Sequence, residues 1–429
     1  MDEEYFKVRL DNGMWVLLKE IHTAPLVSAW MWYRVGSRDE APGITGASHW
    51  VEHMQFKGTP RFPGKKLDKD ISRQGGYWNA MTYIDWTTYF ATMPASKIDL
   101  ILRLEADRMH NSYFDPDEIE SERSVIISER QGNANDPGFL LAEQVVRRSF
   151  DLHPYRHQVI GELTDLENIS REQLYAHYQK FYMPNNAVLT VAGAFNFEDM
   201  ITRIRELFEF TPAGYTPERP ACPEPASTAE RRVEVEGPGE TALVEVSYHA
   251  PAGNQADFFA CMVLDSLLTG ASNLNLFGGG ISNKTSRLYQ ALVEKNLAVA
   301  VGGGLQATID PYLYHVMLTV HPNRKPEKVI SVLDAQIARL QDKLAPTDEL
   351  QKAVKQAKAL FAYGSESITN QAFWLGFSEM FDSYDWFLDY IDQLAAVTPE
   401  DVQRVAQTYL VPANRTVGIY RPNGNGGGA

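Results

Sequence analysis

Leu166-Glu-Asn-Ile-Ser-Arg-Glu-Gln-Leu174, followed by Phe181-Tyr-Met-Pro-Asn-Asn186, aligns without gaps on Leu394-Ala-Ala-Val-Thr-Pro-Glu-Asp-Val402 and Tyr409-Leu-Val-Pro-Ala-Asn414, at a constant offset of 228. In each copy a hydroxyl residue, Ser170 or Thr398, has Gln173 or Asp401 three positions on, the pattern of a capped helix start. An amphipathic stretch follows, a proline stops it, and a β-branched run begins at Ala187 or Arg415. An offset near half of the 429 residues points to an internal duplication. Between the copies, Gly214 to Ser227 carries Pro217, Pro220, Pro223 and Pro225, a composition that favours extended, solvated backbone. The expected organisation is a domain over 1–213, a linker over 214–232 and a homologous domain over 233–429. Alternating runs (Met14 to Leu18, Tyr83 to Thr92, Ala242 to Tyr248) are interspersed with amphipathic helical runs (Lys97 to Asn111, Asp257 to Leu268). Each half is therefore an α+β domain, with a mainly antiparallel sheet packed with helices.

With 44% hydrophobic and 22% charged residues the chain can build two ordinary cores, which excludes disordered and collagen-like classes. Its apolar runs, such as Leu26 to Tyr33, stop well short of the roughly 20 residues a membrane helix needs. The opening Met-Asp-Glu-Glu lacks a basic export signal, so the expected location is the cytoplasm, or the periplasm or medium if a signal peptide has been removed. Cys222 and Cys261 are too few for a disulfide framework. A formal net charge of -15 repels phosphate backbones, which argues against nucleic acid and favours cationic partners.

The sharpest chemical feature is His49-Trp50-Val51-Glu52-His53. On a helix His49, Glu52 and His53 share one face and Trp50, Val51 and Met54 the other. Imidazoles at i and i+4 reach one zinc ion, with the glutamate beside them free to act on a water. Two surface histidines on a charged helix are the plain alternative. A catalytic zinc needs a third protein ligand and an open fourth position. The run Asp115-Pro116 to Glu129 reads as a helix with Asp115 as N-cap, Pro116 first and Glu118 as reciprocal capping acid. Glu122 and Glu129, nearly two turns apart, share a face of it, but periodicity alone does not select a ligand among these acids.

His49-Trp-Val-Glu-His-Met-Gln-Phe-Lys-Gly-Thr59, Gly75-Gly-Tyr-Trp-Asn-Ala80 with Thr82, Asp85 and Thr87, and Glu122-Arg-Ser-Val-Ile-Ile-Ser-Glu129 together resemble the pitrilysin (insulinase-like) zinc metallopeptidases, the inverted-zincin group that includes the mitochondrial processing peptidase. The resemblance spans nearly the whole chain. It implies one Zn2+ per chain on His49, His53 and Glu129, which stands 76 positions after His53 as in the family. It further implies Glu52 as the catalytic acid-base, Glu122 orienting a ligand imidazole, and Asn79 and Ala80 on a strand edge where an extended peptide adds. The two domains are then expected to form a clamshell around unfolded peptide substrate, for which the acidic charge favours basic segments.

The sequence departs from the family in its second half, where single-chain members carry an Arg and a Tyr that stabilise the tetrahedral intermediate. Here Leu292 to Val299 has Val293 and Val299 at those places and is one residue shorter. The resemblance thus implies a heterodimer whose partner lacks HxxEH and supplies the Arg-Tyr pair, with a homodimer as the other arrangement. A non-catalytic, core-type structural subunit of a larger complex is the alternative function, although the relatives that serve so generally have degraded metal motifs. The offset of 228 places Phe277 opposite His49, so the second half is expected to hold no metal. Gly278 to Thr285 imitates a phosphate-binding loop but has Asn283 where the second glycine belongs. A glycine-rich substrate loop is what the resemblance implies there.

Overall fold

The computed structural model describes residues 4–219, 221–275 and 280–424. Phe277, Gly278 and Gly279 of the glycine-rich stretch and residues 425–429 of the tail lie outside the described residues. The first half runs β1 (Phe6–Arg9), β2 (Trp15–Glu20), β3 (Leu26–Tyr33), α1 (Ala47–Gln55), α2 (Gly64–Arg73), β4 (Tyr77–Thr82) and β5 (Thr87–Pro94). It continues through α3 (Asp99–Asn111), α4 (Pro116–Asn133), α5 (Pro137–Ser149), α6 (Leu163–Asn168), α7 (Arg171–Phe181), β6 (Ala187–Gly193) and α8 (Phe197–Phe208). The second half follows the same plan: β7 (Arg231–Gly237), β8 (Leu243–Ala250), α9 (Phe258–Leu268), a π-helical turn (Tyr289–Val293), β9 (Ala298–Gly304) and β10 (Tyr312–Val320). Then come α10 (Pro326–Asp342), α11 (Thr347–Ser365), α12 (Ile368–Phe377), α13 (Tyr384–Ala396), α14 (Pro399–Tyr409) and β11 (Arg415–Pro422).

Among the described residues the first sheet has the order β1-β2-β6-β3-β5-β4 and the second β7-β11-β8-β10-β9. Each is antiparallel except for one pair, β2 with β6 and β7 with β11. Without β1 the two orders are one topology. The five helices between β5 and β6 correspond to the five between β10 and β11, and α1 corresponds to α9. This moves the counterpart of His49 from Phe277 to α9, because the connections upstream of the repeated segment differ in length and the offset of 228 does not extend to them. All eleven residues of α9 are buried and none is a histidine, so the helix is a core element.

The central strands β3 and β6 are almost wholly buried and read as apolar runs, as strands covered on both faces do. One cover comes from the wrong half of the sequence. Helix α12 packs on β2, β3 and β6, while its counterpart α5 packs on β7, β8 and β11. The compact units are therefore discontinuous: one runs through Gln131 and adds His157–Ala221 and Glu366–Tyr384, and the other holds Gly132–Arg156, Cys222–Ser365 and the chain from Asp385. The strands of the first sheet lie between Phe6 and Gly193 and those of the second between Arg231 and Pro422, so β7 begins two residues inside the expected linker, and one equivalent helix of each half has been exchanged.

Both exchanged helices approach closely at a glycine. A Cβ on Gly376 of α12 would stand 2.0 Å from Trp32 Nε1, and one on Gly418 of β11 would stand 2.3 Å from Val145 Cγ2 of α5. Phe373 adds edge contacts to Trp30 and Trp32, at 5.4 Å and 5.6 Å between ring centres, the arrangement that aromatic quadrupoles favour.

The strand expected over Tyr83 to Thr92 begins only at Thr87, since Tyr83–Trp86 form the turn closed by Tyr83 N–H to Trp86 O, 2.8 Å. The described part of the linker has neither helix nor strand up to Glu230, and β7 starts at Arg231. It is nonetheless pinned, because the Glu224 carboxylate accepts the N–H groups of Asp151, Leu152 and His153 at 2.5, 3.0 and 2.9 Å.

Gly376→Ala inserts a methyl group where the buried Trp32 ring cannot yield. Overpacking of this kind costs about 1–3 kcal/mol, so the denaturant midpoint of the unit containing β3 should fall. An unchanged unfolding curve would show that α12 does not seat as described.

Candidate metal centre

Helix α1 starts at Gly46, whose φ of +89° and whose Cβ position, 2.6 Å from Ile160 O, suit only glycine. The N–H groups at a helix start have no partner within the helix, and a negative charge there is favourable. Here a buried carboxylate meets them: Glu40 accepts from Gly46 N at 2.8 Å and Ser48 N at 2.7 Å. Ser48 Oγ donates to Gly36 O at 3.0 Å. With the start fixed, Trp50, Val51 and Met54 are fully buried. His49, Glu52 and His53 are turned the other way.

Helix α4 supplies the opposing acids. Asp115 Oδ1 accepts from Asp117 N at 2.9 Å and Glu118 N at 3.4 Å, and Pro116 opens the helix. Glu118 does not reciprocate the cap; its carboxylate lies 3.5 Å from Lys57 Nζ. Arg123 holds the register of α4 against α1. Its guanidinium lies 4.8 Å from the Trp50 ring centre and donates to Leu166 O at 2.5 Å and Ile169 O at 2.9 Å, combining a cation–π contact with two hydrogen bonds.

That register brings Glu129 Oε2 to 3.9 Å from His49 Nε2 and 3.8 Å from His53 Nε2. One ligand atom from each of the three residues lies within 4.8 Å of the other two. Tetrahedral bonds of about 2.0–2.2 Å separate neighbouring donors by roughly 3.4 Å, so a small closure of these side chains suits a zinc-sized ion. Two imidazoles and a carboxylate are a donor set that such an ion accepts. The Glu129 side chain is 44% exposed, which leaves an open side for a fourth ligand.

Glu122 stands one layer behind. Its Oε2 is 3.0 Å from His53 Nδ1, and its other oxygen is bonded by Lys57 Nζ. Burial alone would raise the Glu122 pKa, but the His53 and Lys57 hydrogen bonds bring it below the usual carboxylate value, so it stays an ionised acceptor. His53 must then donate through Nδ1 and keeps its Nε2 lone pair toward Glu129. Burial pushes His53 down, and the bond to Glu122 with the charges of Glu52, Glu122 and Glu129 carries it above its ordinary value. Burial, with His53 adding to it, drives His49 down to about 3, so that ring is neutral at any working pH. His49 Nδ1 is buried without a hydrogen-bond partner.

Glu52 Oε2 accepts from Thr82 Oγ1 at 2.6 Å, and Thr87 Oγ1 lies 3.3 Å behind Thr82 Oγ1. Burial lifts the Glu52 pKa above the ordinary value, against the lowering effect of the Thr82 bond. Asn79 and Ala80 lie in the middle of β4 and not at its start, and among the described residues β4 is the edge of the sheet, paired with β5 alone. Asn79 is exposed, and its Oδ1 accepts from Ala80 N at 2.9 Å. In the second half, Val293 closes the π-helical turn and Val299 is 55% exposed on the edge strand β9.

Four residues organise the site without a role that the sequence patterns assign to them. Lys57 stands four positions after His53, a helical spacing that could have found it. Thr82 lies in the quoted motif. Arg123 adjoins Glu122, and Glu40 has no local signal, because its capping partners are a loop away.

Glu122→Gln keeps the shape and removes the ionised acceptor behind His53. Loss of such an outer hydrogen bond weakens metal affinity about 10–100-fold, to be read by competition with a chromophoric chelator. Undiminished affinity would mean that Glu122 does not orient His53.

Two family descriptions match the chain: "Insulinase (Peptidase family M16)" over residues 15–162 and "Peptidase M16 inactive domain" over residues 168–357. An uncharacterized zinc protease of Streptomyces coelicolor is 26% identical over 94% of this chain and 87% of its own length. A probable mitochondrial-processing peptidase subunit beta of Arabidopsis thaliana is 29% identical over 63% of this chain and 51% of its own. The crystal structure of a protease from Helicobacter pylori superposes with a TM-score of 0.91 at 26% identity, covering 98% of this chain and 100% of that one. With both halves matched in order, the same fold and an HxxEH helix facing a third acid, the chain belongs to the M16, insulinase-type, peptidase family.

Proposed function

We propose that this chain is a zinc-dependent endopeptidase that hydrolyses unfolded peptides, acting as the catalytic subunit of a heterodimer. The observation that carries the reading is the convergence of His49, His53 and Glu129 on one point, with Glu52 beside them. His49, His53 and Glu129 would hold one Zn2+ per chain. Zinc in such a site supplies Lewis acidity, lowering the pKa of a bound water toward about 7 and polarising a carbonyl. Glu52, with its pKa raised by burial and its carboxylate aimed by Thr82, accepts the proton of the attacking water and returns it to the leaving amine. Glu122 and Lys57 keep His53 in the tautomer that offers Nε2. The edge strand β4, with Asn79 and Ala80, receives an extended peptide by main-chain pairing. The charge of -15 favours basic segments.

Val293 and Val299 stand where single-chain relatives carry Arg and Tyr. A donor to the developing oxyanion is commonly worth roughly 3 kcal/mol, so a related chain without HxxEH completes the site. A core-type structural subunit has no use for the full set of Glu52, His49, His53 and Glu129, which favours the catalytic reading.

Glu52→Gln should lower cleavage of a quenched fluorescent basic peptide by about 10²–10⁴-fold while zinc content stays unchanged, assayed alone and with the homologous partner. Cleavage that survives the substitution would remove Glu52 from the chemistry. Full activity of the isolated wild-type chain would contradict the two-subunit site and leave the peptidase reading intact.

A further inference from the structure

Asp85 and Thr87 share a sequence motif with Thr82, and all three are buried, Thr87 completely. Thr82 is the one that meets Glu52, its Oγ1 donating to Glu52 Oε2 at a short 2.6 Å. A hydroxyl has a single hydrogen that rotates to suit its neighbours, so the surroundings of Thr82 decide where that hydrogen points. Thr87 stands directly across from Thr82 in the pairing of β4 with β5. Its Oγ1 donates to Val35 O at 2.9 Å and, over a longer 3.3 Å, to Thr82 Oγ1. With its oxygen receiving this hydrogen, Thr82 keeps its own for Glu52. The direction of the chain is thus set by a backbone carbonyl, which cannot turn as a side chain can.

Residues 35–38 also hold the rest of this frame. Gly36 O accepts from Ser48 Oγ at 3.0 Å, near the start of the helix that carries Glu52. Ser37 N and Arg38 N donate to Tyr83 O and Ile84 O, at 3.2 and 2.9 Å, in the turn that follows Thr82. The approach is so close that a Cβ on Gly36 would stand 2.2 Å from Tyr83 O. Arg38 Nη1 lies 3.3 Å from Asp85 Oδ1 in the same turn, with both side chains almost wholly out of water. Separating such a pair would leave a buried charge uncompensated, so the turn has little freedom to shift. One segment therefore ties the helix of Glu52 to the hairpin that presents Thr82 and Thr87.

We propose that Thr87 is a positioning residue for Glu52: it acts through Thr82, fixing the direction of that hydroxyl and so the orientation of the carboxylate. The consequence for rate rests on the peptidase reading, whereas the consequence for the orientation of Glu52 does not.

Thr87→Val removes the hydroxyl and keeps the branched shape, Thr87→Ser keeps the hydroxyl, and Thr82→Val removes the donor itself. Each is made in the full chain and compared with the wild type, together with the homologous partner, for kcat, KM and zinc content. Crystal structures of the wild type and both Thr87 variants show the side chain of Glu52. Slight misplacement of a reacting group costs up to about 100-fold, so kcat should fall about 10- to 100-fold in Thr87→Val, with KM and zinc content unchanged. Thr87→Ser should restore it. Thr82→Val/Thr87→Val should be no slower than Thr82→Val alone, since residues that act through one another do not add. In the crystal, the bond from Thr82 to Glu52 should be lost in Thr87→Val and kept in Thr87→Ser. An intact bond in Thr87→Val, equal losses in Thr87→Val and Thr87→Ser, or additive losses in the double variant would overturn the assignment. A wild type that cleaves nothing with its partner would instead defeat the peptidase reading, and the crystal structures would still decide the role of Thr87.

Discussion

Everything at the metal centre depends on the register of α4 against α1, and the stack of Arg123 on Trp50 holds that register. His49 and His53 are one turn apart by helical geometry, but a third donor can meet them only if the facing helix neither slides nor rotates. Arg123 fastens α4 at two levels, by its ring contact to α1 and by its bonds to Leu166 O and Ile169 O. The neighbouring Glu122 then reaches His53, and Glu129, two turns on, reaches both imidazoles. A slide of one residue would rotate these acids by about 100° and empty the site. The buried Glu40 does the equivalent work at the start of α1, where it fixes both the N–H groups and the direction in which the histidines emerge.

The two copies of the duplicated scaffold differ, among the described residues, at the helix that carries the metal ligands in the first. The two sheets share their topology down to the exposed edges β4 and β9, and the helices between their last two strands correspond one for one. The difference is in α1 and α9. Where the first has a polar face of His49, Glu52 and His53, the second is Phe-Phe-Ala-Cys-Met-Val-Leu-Asp-Ser-Leu-Leu, apolar nearly all round and buried along its length. A helix covered on every side cannot present ligands. The second half thus contributes a sheet, the exchanged helix α12 and an edge with Val299.

Much of this was legible in the sequence where the determinants are local. The capped helix starts at Ser170 and Thr398, the proline stops and the strands after them are short-range signals, and both capping boxes form. His49, Glu52 and His53 are likewise a property of one helix. Glu129 is not, because any acid on that face of α4 satisfies periodicity; its assignment came from resemblance to a family. The exchange of α5 and α12 was invisible for a related reason. An apolar helix face states that it will be buried but not against which of two similar sheets. The turn Tyr83–Trp86 looks like strand in the sequence because alternation continues through it, and only the closing bond to Trp86 and the pull of Arg38 on Asp85, 3.3 Å, reveal the bend.

The most direct test of the central claim is X-ray absorption at the zinc edge of the purified chain, together with the zinc content of the wild type and of a His49→Ala/His53→Ala variant. The account predicts one zinc per chain in the wild type, surrounded by two imidazole nitrogens and by oxygen, and none retained in the variant. Sulfur bound to the zinc, which would implicate Cys222 or Cys261, or zinc that survives loss of both histidines, would contradict it.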